Sequence, residues 1–265
     1  MPLQRKLFLE AVTVMENAFG RLQEQVPPPQ RVPFRDGFVF RFREQTIHQA
    51  LILKLARVIT GLRAVDVLLQ AGLLQEQGAI CRMLDEIDED IMFLVAAVTN
   101  DRVTELHQRY LAGFWAELFA DPAHHAGQVK KPDAPRRKKI HAYVSRVLNE
   151  GAPPAQALED LSRTYSGYVH AASACVMDMY GGDPPHFHLR GMGDTPLMED
   201  HVYDVWNYVY RGLESFIAAS KAFGDEPLVN VLYEYLDRFI EASGDRAHPE
   251  LKVPRPPIRK RPVPP

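Results

Sequence analysis

The sequence predicts an all-α fold: a multi-helix bundle of seven or eight helices with a disordered basic, proline-rich C-terminal tail. Three observations carry that prediction. Apolar residues recur at three-to-four spacing through most of the 265 residues. Period-two alternation is confined to one short stretch around Phe38, Phe40 and Phe42. Proline and glycine clusters stand between the periodic segments. With 46% hydrophobic and 25% charged residues, the chain is long and apolar enough for one large domain with a buried core.

Leu7, Val12, Met15, Phe19 and Leu22 form an amphipathic stripe, so a first helix is expected over residues 2–26. Pro27, Pro28 and Pro29 end it, because consecutive prolines cannot continue an intrahelical ladder. Residues 27–43 are then a linker, whose phenylalanine alternation lacks an obvious partner strand and reads as an extended connection. A helix from Glu44 to Leu69 follows, with a kink or tight turn where Gly72 and Gly78 flank Leu73 to Gln77. Ile80 to Thr99 is the next helix, and Asn100-Asp101 is a candidate cap for another from Arg102 to Phe119. Asp121 to Pro135 reads as a loop, and Arg136 to Lys139 open a short helix ending near Glu150. Pro153-Pro154 introduces a long helix from Ala155 to Tyr180, stopped by Gly181-Gly182 and Pro184-Pro185. Two last helices span Pro196 to Phe223 and Glu226 to Ser243. The bundle is therefore expected to occupy residues 44–245 of a single domain, 1–245, with the tail at 246–265. The final 17 residues hold seven of the 21 prolines and five Lys or Arg against one Glu, a polyproline-like composition.

The formal charge of −3 excludes a uniformly basic nucleic-acid binder. Two cysteines, Cys81 and Cys175, exclude a disulfide framework or a cysteine-rich zinc module. No cleavable signal is expected, since Glu10 and Glu16 interrupt the apolar N-terminal stretch. The longest apolar run, Ile91 to Val98, is too short for a bilayer. These points favour a soluble cytoplasmic protein with no membrane partner and no cofactor.

Five carboxylates fall within six positions at Asp85, Glu86, Asp88, Glu89 and Asp90. At 100° per residue, Ile80, Met83, Leu84, Ile87, Ile91, Leu94 and Val98 form the core stripe, with Arg82, Glu86, Glu89 and Phe93 opposite. The plain reading is a solvated acidic face carrying an Arg82–Glu86 ion pair. The alternative turns Phe93 and that pair toward another helix to build a polar pocket. A di-iron site is not expected, because no Glu-x-x-His spacing occurs. In the helix 155–180, an apolar stripe and a second face of small residues (Gly167, Ala171, Ala174) predict a central helix packed on two sides. His170 then sits at a helix–helix seam, in a polar network with Arg82, Glu86 and Tyr168.

The acidic helix, the stretch Asn100 to Leu111 and Tyr165-Ser166-Gly167-Tyr168-Val169-His170 resemble a broad group of uncharacterised bacterial all-helical proteins, over roughly residues 45 to 180. A more distant likeness is to the HEPN superfamily of helical ribonuclease toxins and defence proteins. That resemblance implies metal-independent RNA cleavage, with His170 as general acid or base and Arg163 stabilising the phosphorane. Thr164, where that family usually has Asn, Asp or His, departs from its pattern.

Other constellations carry less chemistry. Asp183, His186 and His188 share a proline-rich loop and come nearest to a metal site, with His124, His125 or water as a fourth ligand; no metal is assigned. Neither a phosphate-cradling glycine loop nor a Gly-x-Ser-x-Gly elbow is present. Basic residues concentrate at Lys130, Lys131, Arg136, Arg137, Lys138 and Lys139, and again in the tail, where they suit phosphates or an acidic protein surface. Pro254-Arg255-Pro256-Pro257 also fits a generic proline-motif ligand. The expectation is a non-catalytic interaction or structural module, a homo-oligomer with RNA or an acidic protein as partner. The alternative is a HEPN-like ribonuclease or toxin.

Overall fold

A computed structural model describes residues 2–34, 36–117, 133–148 and 165–243. Among these the chain is built from helices and two small hairpins. The first helix, α1 (Pro2–Gln23), buries Val12, Met15 and Leu22 of its predicted stripe, with Phe8 buried where Leu7 was expected and Phe19 half-buried. Beyond the three prolines, β1 (Gln30–Phe34) pairs antiparallel with β2 (Gly37–Arg41), with Arg31 opposite Phe40 and Pro33 opposite Phe38. The extended connection expected at 27–43 is thus a hairpin. Pro33 hid the partner strand, because proline lacks a ladder donor and is tolerated only on strands with a free edge.

Helix α2 (Ile47–Gln70) starts in a capping box: the Gln49 N–H donates to Thr46 Oγ1 (3.1 Å) and the Thr46 N–H to Gln49 Oε1 (3.1 Å). It ends at Gly72, whose φ of +69° lets the chain reverse at once. Helix α3 (Leu74–Thr99) therefore begins earlier than expected and contains Gly78. That glycine marks a packing site and not a turn, since a Cβ there would lie 3.0 Å from the Tyr168 ring. Helix α4 (Glu105–Trp115) is capped at Thr104, three residues beyond Asp101, which itself turns the chain with φ +47°. Helix α5 (Arg137–Leu148) opens within the basic run as predicted, and its expected end near Glu150 lies outside the described residues.

The long helix expected from Ala155 to Tyr180 is not continuous. Residues 165–169 are helical, the chain breaks at His170 to Ala172, and α6 (Ser173–Met177) is a separate short turn. Ala171 adopts φ +48°, and the Ala172 N–H returns to the Gly167 carbonyl (2.9 Å). The small-residue face predicted to admit another helix instead admits the chain's own return: a Cβ on Gly167 would stand 2.5 Å from Cys175 Sγ. A minimal hairpin, β3 (Tyr180–Gly181) with β4 (His186–Phe187), leads to a loop whose Met192 N–H donates to the Gly72 carbonyl (2.7 Å). Helices α7 (Leu197–Ala222) and α8 (Glu226–Ser243) match their predicted spans to within a residue.

One continuous core joins α1, α2, α3, α7 and α8, with Phe93, Phe216, Phe239, Met15 and Leu55 fully enclosed. Helix α3, not the segment around residue 170, is the central rod, contacting α2, α4, α5 and α7. Among the described residues no helix is long and apolar enough to cross a membrane. The tail at 246–265 lies outside the described residues.

Candidate functional site

The acidic helix is not a solvated face. Asp85 and Asp90 are buried, and Phe93, placed on the outer side by its angle, is fully enclosed. A lone helix with this sequence would show its carboxylates to water. Here cations from three other helices surround them, which is the arrangement buried charges require. Toward α7, Arg211 reaches both Asp85 and Asp88 (3.0 Å to the latter), while the Tyr208 hydroxyl donates to Asp85 (3.1 Å) and Ser215 to Asp88. Burial pushes the Asp85 carboxyl above its ordinary range despite Arg211 beside it. Burial works against the Arg211 charge too, but Asp88 and Asp85 overcome it and raise the pKa. Farther along the seam the enclosed His201 meets Gln77, and Tyr165 donates to Asp204.

A second cluster lies between α3, α2 and α5. Asp90 accepts from Lys54 (2.6 Å) and Arg137 (2.5 Å). Arg137 also meets Glu89 (3.3 Å) and the Glu86 carbonyl (2.8 Å), and His141 meets Glu89 (2.7 Å). Arg137 was expected to contact phosphate or an acidic partner; the structure corrects this, since its guanidinium is spent on α3. The Arg82–Glu86 pair forms as predicted at 2.9 Å, and Glu86 extends it to Arg137. A cavity of about 290 Å³ opens beside Lys54, Asp90, Tyr110 and Arg137. Burial and the neighbouring Asp90 hold the Tyr110 phenol protonated well beyond its usual range.

With Arg137 and His141 turned inward, the other side of α5 is left basic. Its sequence contains no Asp or Glu, and Lys138, Lys139 and Arg146 are exposed along it, with Arg136 just before it. None of these four, nor Arg102 on the α3–α4 turn, has an ion-pair partner among the described residues. Arg102 and Arg146 both line a cleft of about 710 Å³ with Asn100, Thr104, Glu105 and Tyr143. Its volume is within the range of small-ligand sites.

Two residues of the lining, Thr104 and Tyr143, contact the enclosed His107. The Thr104 N–H donates to His107 Nδ1 (3.1 Å), which leaves the proton on Nε2 for the Phe93 carbonyl (3.1 Å). The imidazole stacks on Phe93 at 4.0 Å and meets Tyr143 edge-on. Burial lowers its pKa and keeps the ring neutral. Arg146 lies 5.7 Å from the Tyr143 ring centre, open to solvent. Two guanidiniums at the mouth suit carboxylate or phosphate oxygens. The Thr104 hydroxyl in the lining also meets His107 Nδ1 (2.8 Å).

The remaining predicted site residues are not gathered together. His170 is exposed on the turn after residue 169, not sealed in a seam, and the network expected with Arg82, Glu86 and Tyr168 does not reach it. Tyr168 instead packs on Tyr165 and His201. Arg163, Lys130 and Lys131, with His124 and His125, lie outside the described residues. His186 and His188 are neighbours, 4.5 Å between ring centres, but His186 Nδ1 is engaged by the Pro184 carbonyl. Among the described residues no group of three His, Cys, Asp or Glu side chains is placed to hold a metal, so Asp183 does not complete a set. Cys81 is buried, and burial raises its thiol pKa well above the ordinary value, which makes it a poor nucleophile.

Sequence reasoning missed Lys54, His107 and Arg211. The signal for Arg211 was present: it is the sole charged residue between Asp204 and Glu214 in an otherwise aromatic, aliphatic or small stretch. No protein-family model, curated protein or solved structure matches the chain.

Proposed function

We propose that the chain is a non-catalytic helical interaction module whose outer α5 face and adjoining cleft receive an acidic partner. One observation carries this reading: the deeply buried carboxylates of α3 are matched by cations, whereas Arg136, Lys138, Lys139, Arg146 and Arg102 stand together without carboxylate partners among the described residues. Cations arranged this way lower the free energy of a docked polyanion and make binding salt-dependent. The free thiols Cys81 and Cys175 support a cytoplasmic setting, and the exposed Val169, Met177 and Leu189 support self-association.

The HEPN-like alternative, RNA cleavage through Arg163 and His170, draws support from the open position of His170. One experiment separates the two. The purified full chain is titrated, over a salt series, into fluorescein-labelled oligouridylate and into a labelled polyglutamate peptide, with anisotropy as readout. The parent is expected to bind one or both, and K138E/K139E/R146E at least about tenfold more weakly, with a shallower salt dependence. The RNA is expected to be recovered intact on a gel. Binding that ignores the charge reversals, or no binding at low salt, overturns the proposal. RNA cleavage abolished by H170A establishes the alternative instead.

A further inference from the structure

The β1–β2 hairpin presents a face that the bundle does not use. Period-two geometry and the observed register put Arg31, Pro33, Phe38 and Phe40 on one side of the two strands. All four are exposed, Phe38 at 48% and Phe40 at 56%. The opposite side carries Val32, Phe34 and Val39, each half-buried. The exposed side is also ordered by its own contacts. The Phe38 and Phe40 rings meet edge to face at 5.4 Å, and the Arg31 guanidinium lies 4.4 Å above the Phe38 ring.

A chain of contacts leads from the hairpin through α4 to the entry of α5. Phe42, just beyond β2, is buried against Trp115 at the end of α4 (6.3 Å between rings). Arg41 of β2 is paired with Glu117. Two residues back on α4, Gly113 is covered by Ala134, which precedes Pro135 and Arg136 at the entry to α5. From Arg31 to Arg43 the sequence carries four arginines against a single aspartate, in a chain whose net charge is −3.

We propose that this hairpin is a stacking platform for a single-stranded polynucleotide, bases lying on Phe38 and Phe40 and phosphates meeting Arg31, Arg43 and the start of α5. Two exposed rings with the Arg31 guanidinium beside them and Arg43 exposed just past β2 supply both halves of single-strand recognition: sequence-tolerant stacking and backbone neutralisation. A second copy of the hairpin fits less well, because isologous pairing sets like-charged arginines against one another. An acidic peptide satisfies the arginines and leaves the rings without flat partners. The proposal deepens the reading above by naming the partner class, and it rests on that reading for the α5 contribution.

The test measures anisotropy of labelled oligouridylate, oligothymidylate and polyglutamate with the full chain and with F38A/F40A, F38L/F40L and F38W/F40W. Both native rings are exposed, so thermal unfolding is expected to be unchanged and serves as the folding control. The Ala and Leu pairs are expected to weaken both oligonucleotides about tenfold or more and to leave polyglutamate unaffected, while the Trp pair retains binding. If Leu binds as well as Phe, or if the Ala pair leaves oligonucleotide affinity unchanged, the platform is refuted. The same holds if the Ala pair only dissociates a dimer in sedimentation. Loss of binding with F38A/F40A but not with K138E/K139E/R146E keeps the platform and removes the α5 reading; the reverse pattern removes the platform alone.

Discussion

Replacing Arg211 by Met tests the account of the α3–α7 seam most directly. Arg211 has a side chain 13% exposed and bridges Asp85, 8% exposed, and Asp88, 21% exposed. Met fills a similar volume but supplies no charge and no donor. Asp85 then keeps the Tyr208 hydroxyl, while its second oxygen is buried with no hydrogen bond even in the parent. Stranding a buried carboxylate in this way costs about 3–5 kcal/mol. For a chain of this size each kcal/mol moves the midpoint by roughly 2–4 °C, so R211M is expected to melt about 6–20 °C lower by circular dichroism at pH 7. The loss has a defined pH dependence. Asp85 already holds its proton more tightly than an ordinary carboxyl, because of burial. Without Arg211 it holds it more tightly still. A carboxyl that binds its proton better folded than unfolded adds stability as pH falls, so the gap between R211M and the parent narrows from pH 7 to pH 5. Adding D85N to R211M removes one stranded charge and is expected to restore about 1–3 kcal/mol. A midpoint change below about 2 °C, which is under 1 kcal/mol, or a gap that widens on acidification, refutes the reasoning.

Two further predictions concern other parts of the fold. Gly191 has φ +122° and would set a Cβ 2.4 Å from the Ala71 carbonyl, a backbone atom that cannot swing aside. G191A is therefore expected to lose about 2–4 kcal/mol in urea unfolding and to raise amide exchange around the α2–α3 turn; exchange confined to other segments contradicts the docking. His107 and His201 both have pKa values lowered, by burial first in each case. A base that binds its proton less well folded than unfolded removes stability as pH drops below its unfolded value of about 6.5. Urea midpoints measured from pH 7.5 to 5.5 are expected to fall less steeply in H107Q/H201Q than in the parent, and parallel slopes count against neutral buried rings.

Local chemistry made some elements legible. The Thr46–Gln49 box, the triple proline after α1, and the gap between α7 and α8 are set by neighbours a few residues apart, and each is readable without knowing the partner. Asp225 shows the same locality: it caps α8 through the Leu228 N–H (3.2 Å). Its long-range contacts, a bidentate grip by Arg21 of α1 and a hydrogen bond from Gln25 (3.0 Å), left no local trace. The break at Ala171 was hidden for the opposite reason. Small residues at 167, 171 and 174 are compatible both with a close helix neighbour and with a chain folding back on itself, and Cys175 packing on Gly167 selects the second.

The amino-acid order by itself determined that the fold is helical, the bounds of α7 and α8, and that cations gather near α5. It did not determine which charges face water. Helical periodicity fixes the angular relation of Asp85, Glu86, Asp88, Glu89 and Asp90 to one another, and that angle is the same whether the helix lies on the outside or runs through the middle. Tertiary packing decided the matter by bringing Lys54, Arg137 and Arg211 from three other helices around α3. Burial of an ion is favourable only when its partner arrives with it, and those partners come from positions far away in sequence. The same step turned Arg137 inward, left Lys138, Lys139 and Arg146 outside, and so drew the surface on which the functional reading stands.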